Sequence, residues 1–107
     1  MILVYVTCEN EAEAKKIGKH LLEKRLCACV NILPQMHSLY YWPPKANKIE
    51  ESNEAVLLIK SVKENYEAIE KEVIEIHSYE TPVIFSLHAE DVSDKYHMWL
   101  MGEIKGQ

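Results

Sequence analysis

Two long β-forming runs on either side of a double proline constrain this chain more than any other feature. Cys27 to Trp42 and Lys48 to Ser61 are both rich in strand formers, and Pro43-Pro44-Lys45-Ala46-Asn47 lies between them. Such a pattern predicts a hairpin with its tip at 43–47 and with Ala55 to Ile59 as the buried part of the return strand. Pro34 interrupts the first run. It has no N–H to donate to a ladder, so a bulge or an edge position is expected there. Both strands exceed the usual five or six residues or so. A small domain covers only part of such a hairpin, and the distal arm with Tyr40, Tyr41 and Trp42 then presents aromatic surface that a partner chain is expected to cover.

The flanking segments complete a regular order. Ile2 to Val6 reads as a buried central strand. Asn10 can cap a helix over Glu11 to Lys24, with Glu13 at its third position and Ala14, Ile17, Leu21 and Leu22 at helical spacing. Val62 to Ile76 returns to helical period with Tyr66, Ile69, Val73 and Ile76 on one face. Val83 to Leu87 is a fourth strand, and Ser93 or Asp91 can cap a last helix bearing Tyr96, Trp99 and Leu100. The order β-α-β-β-α-β with an extra C-terminal helix predicts an α+β, ferredoxin-like sandwich with a long β2–β3 hairpin. With 107 residues there is material for a single domain over 1–107.

Charge and composition exclude several functions. A net charge of -5 disfavours a nucleic-acid partner, whose phosphates call for a basic footprint. The 3 glycines form neither a P-loop nor a dinucleotide fingerprint. Met1 to Cys8 is apolar but lacks a basic start and a small-residue cleavage site. No run approaches the roughly 18 apolar residues of a membrane span. A cytoplasmic protein without a membrane partner is therefore expected, and 3 cysteines, an odd number, are expected to be reduced thiols.

Ile76 to Ile84, reading Ile-His-Ser-Tyr-Glu-Thr-Pro-Val-Ile, packs four polar or titratable side chains into the connection between the second helix and the fourth strand. His77-Ser78-Tyr79-Glu80-Thr81-Pro82 resembles the HPYEVP signature of the CutA family, the divalent-cation tolerance proteins. Arg25-Leu26-Cys27-Ala28-Cys29-Val30-Asn31-Ile32 resembles its RLAACVN block, Tyr41-Trp42 its aromatic pair, Leu57-Leu58-Ile59-Lys60 its strand ending in lysine, and Asp94 to Leu100 its closing helix. The resemblance covers nearly the whole chain. It implies a homotrimer whose hairpins extend sheets across subunit boundaries, an association with copper and other divalent ions, and no established reaction. Ser78 stands where the signature has proline, which would hold His77 in extended geometry.

The resemblance places copper near Cys8 and His77. A thiolate with an imidazole suits copper or zinc over magnesium or calcium, and with two protein donors the rest of the sphere falls to water, Glu80 or another chain. The plain alternatives are a small apolar Cys8 at a strand end and a His77 favoured by the helix dipole. Cys27 and Cys29, alternate residues of one strand, read as core. A second candidate is an intersubunit pocket of Lys60, Tyr79, Glu80 and Trp42 for a small anion or an amphipathic metabolite, against an ordinary interfacial salt bridge. His20, His37, His88 and His97 are scattered. An acylphosphatase-like enzyme needs an anion-cradling loop and an arginine after the first strand, whereas Thr7-Cys8-Glu9-Asn10 is acidic and has neither glycine nor arginine. An RNA-recognition module of this fold needs exposed sheet aromatics on a basic face. The expected function is a trimeric, non-enzymatic divalent-cation tolerance protein binding copper, another divalent metal or a small ligand at intersubunit sites, with no cofactor required. The alternative is a trimeric signalling or scaffold protein that binds a small metabolite and a protein partner.

Overall fold

A computed structural model describes residues 1–104; of the single domain expected over 1–107, residues 105–107 lie outside the described residues. The elements are β1 (Ile2–Cys8), α1 (Glu11–Glu23), β2 (Cys29–Tyr41), β3 (Ile49–Ser61), a single 3-10 turn (Lys63–Asn65) leading into α2 (Tyr66–Ile76), β4 (Ile84–His88) and α3 (Asp94–Ile104). The sheet order is β2-β3-β1-β4 with every neighbouring pair antiparallel, the ferredoxin-like arrangement. β1 runs two residues further than its β-branched core because its pairing with β3 continues to Cys8 opposite Ala55. β2 begins two residues later than expected, and Cys27 drops into the core before the strand starts instead of sharing a face of it with Cys29.

Strand parity sets the core. Ile2, Val4, Val6 and Cys8 face the helices beside Ala55, Leu57 and Ile59, and Ala14, Ile17 and Leu21 of α1 and Ile69 and Val73 of α2 close over them. Each large apolar side chain removed from water there contributes about 1.5–3 kcal/mol. α1 lies so near β2 that a Cβ on Gly18 would meet Val30 Cγ2 at 3.0 Å. Its ends are both capped. The Asn10 side chain accepts from the Glu13 N–H at 2.9 Å. At the other end Arg25 takes φ 58°, its N–H bonds Leu22 O at 3.0 Å and that of Leu26 bonds Leu21 O at 3.1 Å, the paired bonds of a Schellman motif with arginine where glycine is usual. Ser93 caps α3 by backbone, its carbonyl accepting from His97 N–H at 3.0 Å.

The hairpin matches its sequence signature. Pro34 and Gln35 together oppose the single residue Ala55, a bulge that bends the distal arm. Beyond it pairing continues to Tyr41 opposite Ile49. The arm stretches the molecule to 48 × 26 × 23 Å and its radius of gyration to 14.9 Å, above the ~13 Å of a compact chain this long. Tyr41, Leu39 and Ile49 are 71%, 64% and 61% exposed, and Leu33, Phe85 and Leu87 are exposed as well. Lys60, opposite Leu3 and Cys29, lies on the sheet face away from α1 and α2, and its Nζ sits 5.6 Å from the Tyr96 ring centroid of α3.

Candidate metal centre

β1, α1 and α2 converge at one point. β1 brings Cys8 there, fully buried on the helix-facing side. Asn10 starts α1 immediately afterwards, which places Glu13 in its first turn above the strand end. α2 arrives from the opposite direction and stops at Ile76, with His77 as its C-cap in extended geometry (φ -74°, ψ 143°) although serine follows it in place of proline.

The His77 side chain is 0% exposed, and its partners fix its tautomer. Nε2 lies 2.8 Å from Thr7 O, which only accepts, so Nε2 carries the proton. Nδ1 accepts the Tyr79 N–H at 3.0 Å, so Nδ1 carries the lone pair. Glu13 serves two backbone donors: Oε1 accepts from Glu9 N–H and Oε2 from Ser78 N–H, both at 2.8 Å. Burial raises the Glu13 carboxyl, but the bonds from Glu9 and Ser78 and the nearness of His77 outweigh it and hold the group below its ordinary value. The Cys8 thiol is pushed up to about 12 by burial first and then by the charges of Glu13 and Glu54.

Cys8 Sγ, a Glu13 carboxylate oxygen and a His77 ring nitrogen all lie within 4.8 Å of one another. Metal–donor bonds run about 2.0–2.3 Å, so these atoms close on one ion with a contraction of about 1 Å. The His77 ring has one nitrogen donating to a backbone carbonyl, as metal-bound imidazoles do, and the other, which carries the lone pair, 4.0 Å from Glu13 Oε2. Sulfur, nitrogen and oxygen donors together suit copper or zinc. Cys8 and His77 are therefore joined by Glu13, which in the sequence shows itself only as a helix-capping residue. Its signal was its place at N3, where a carboxylate reaches back over the strand–helix turn; here it bonds the N–H of Glu9, one residue before the cap.

The other candidate residues separate. Trp42, Tyr79 and Glu80 line an open concavity of about 1140 Å³ between the hairpin arm and the 77–83 turn. Lys60 is not part of it. It lies at the start of β1 opposite Leu3, whereas the turn sits at the strand's other end. In place of a lysine this concavity holds Glu9 and Glu54. Glu54, nearly buried, accepts from Tyr79 Oη at 2.6 Å, and burial followed by that bond raises the Tyr79 hydroxyl. Within this single chain the concavity is thus acidic and aromatic, and a small anion there would need Lys60 from a second chain. Cys27 is buried in the core, its thiol pushed up to about 12 mainly by burial.

Comparison with known proteins gives one result throughout. The family described as CutA1 divalent ion tolerance protein matches residues 2–103. A divalent-cation tolerance protein CutA of Thermotoga maritima is 41% identical over 100 residues, covering 94% of this chain and 95% of that one. A Protein CutA homolog of Xenopus laevis is 38% identical over 96 residues and Protein CutA of Mus musculus is 38% identical over the same length. The chain spans 62% and 52% of those two vertebrate relatives. The structure of the periplasmic divalent cation tolerance protein CutA from Archaeoglobus fulgidus superposes with a TM-score of 0.91 at 33% identity, over 97% of this chain and 99% of that one. The chain belongs to the CutA1 divalent ion tolerance protein family.

Proposed function

We propose that this protein is a non-catalytic homotrimer that takes up copper or another divalent cation at Cys8, Glu13 and His77, in the cytoplasm and with no cofactor required. The observation that carries the reading is the enclosed donor cluster, whose three ligand atoms lie within 4.8 Å of one another. All three come from one protomer, so the ion needs no residue from a second subunit. An incoming ion displaces the thiol proton, since a coordinating cysteine binds as thiolate. The same elevated thiol argues against catalysis, because the thiolate is the nucleophile and Cys8 at neutral pH is protonated. Reduced, unpaired cysteines suit the cytoplasm. No helix among the described residues is long and apolar enough to cross a membrane. The trimer is supported by the overlong arm and the exposed apolar residues along it.

The test is competition for copper against a chromophoric chelator. About one ion per chain is the expected result, with binding weakened in Cys8→Ala and in His77→Ala and lost in the double variant; unchanged affinity in the double variant refutes the site. A second reading, a scaffold that binds a small metabolite and a protein partner, is supported by the concavity at Trp42, Tyr79 and Glu80.

A further inference from the structure

We infer that the 77–81 turn is a gate operated by the ion itself: uptake at His77 Nδ1 and closure of the turn exclude one another. The inference rests on the ion site proposed above. The deciding fact is valence. A neutral imidazole has a single lone pair, and Thr7 O fixes it on Nδ1. That lone pair is taken by the Tyr79 N–H at 3.0 Å. An ion bound through Nδ1 therefore displaces the Tyr79 amide, whereas Glu13, with spare lone pairs on Oε2, can hold both the ion and the Ser78 N–H.

Access leads to the same place. Cys8 and the His77 ring are 0% exposed and the Glu13 side chain 12%, so the donors are closed off from solvent. An ion needs an entry path. Ser78 and Tyr79 are bonded directly to two of the donors, and the turn that holds them ends in exposed Glu80 and Thr81. Opening the turn thus frees the lone pair and uncovers the site in one movement. It also reaches the concavity, because the hydroxyl of Tyr79 anchors the turn from the other side through Glu54 at 2.6 Å. Ion occupancy is in this way transmitted from a buried cluster to the surface lined by Trp42, Tyr79 and Glu80.

The test uses Zn²⁺, which is diamagnetic, with the assembled full-length protein. Amide exchange is followed at Tyr79 by NMR, and Zn²⁺ affinity is measured separately by chelator competition. Saturating Zn²⁺ is expected to speed exchange of the Tyr79 amide about tenfold or more while core amides such as that of Val6 stay unchanged, and Cys8→Ala is expected to abolish the response. Tyr79→Phe, which loses the anchor to Glu54 but keeps every donor, is expected to bind Zn²⁺ about fivefold more tightly because the turn then opens more readily. If Zn²⁺ binds but Tyr79 exchange is unchanged or slower, or if Tyr79→Phe binds no tighter, the gate is overturned and the ion site stands. If Zn²⁺ does not bind at all, the ion site falls and the gate with it.

Discussion

Removing the Glu13 carboxylate is the sharpest probe of the turn in the ion-free protein. Its two oxygens accept backbone N–H groups from Glu9 and Ser78, both at 2.8 Å, and so tie the residue after β1 to the residue after the α2 C-cap. Bonds to a charged acceptor contribute about 1.5–3 kcal/mol each. Glu9 and Ser78 are themselves exposed, so water satisfies the freed donors and the low end applies. Glu13→Ala should therefore cost about 3 kcal/mol, and Glu13→Gln, which retains one acceptor oxygen, about half of that. The pH dependence has a definite sign. The folded carboxyl sits below its ordinary value, so the unfolded chain binds the proton more readily. The contribution is then fully present above the unfolded pKa and is lost as pH falls through the folded one. The gap between wild type and Glu13→Gln should be widest at pH 7 and close in acid. Urea unfolding followed by circular dichroism at fixed protein concentration, at pH 7 and down through the carboxylate range, measures both. Glutamine as damaging as alanine, or a gap that does not change with pH, would refute the assignment of these bonds.

Two further outcomes concern assembly and packing. Light scattering should give roughly three times the 12.4 kDa chain mass, about 37 kDa, and Leu39→Glu with Tyr41→Glu, two highly exposed residues of the arm, should lower it without changing the circular dichroism; a stable wild-type monomer would sink the trimer. Gly18→Ala should destabilise despite a helix-propensity gain of about 1 kcal/mol, because overpacking costs about 1–3 kcal/mol and the new Cβ meets Val30 Cγ2 at 3.0 Å. In a Val30→Ala background the same substitution should stabilise, and an unchanged sign in urea melts would show that the contact does not control the spacing of α1 and β2.

What the sequence made legible was local. The Asn10 cap, the bulge at Pro34 and the hairpin tip follow from residues whose backbone chemistry admits few alternatives, and each stands where expected. What it hid depends on register across the sheet. Lys60 and the Tyr79–Glu80 turn are both beside strand ends, but the pairing of Lys60 with Leu3 puts them at opposite ends of β1. Nothing in the spacing of a single strand distinguishes the two ends. Glu54 was hidden for the same reason, since an acid just before the apolar stretch of a strand reads as solvated until Tyr79 is brought 2.6 Å from it.

Glu13 and His77 meet because of topology. β1 and β3 are antiparallel, so the helices that follow them also run oppositely, and His20 of α1 reaching Glu72 of α2 at 2.6 Å shows their alignment. The N-terminus of α1 must then lie beside the C-terminus of α2. The first terminus carries partial positive charge, which favours the Glu13 carboxylate, and the second carries partial negative charge, which favours a cation. An ion held by Glu13 at one helix start and His77 at the other helix end joins two backbone termini of opposite sign. Midway between the two termini their fields largely cancel, so the charge that favours an ion there is the Glu13 carboxylate and not the helix dipoles. Cys8 is the residue that β1 places between those termini, so the proposed ion would find a thiol, a carboxylate and an imidazole brought together from three elements.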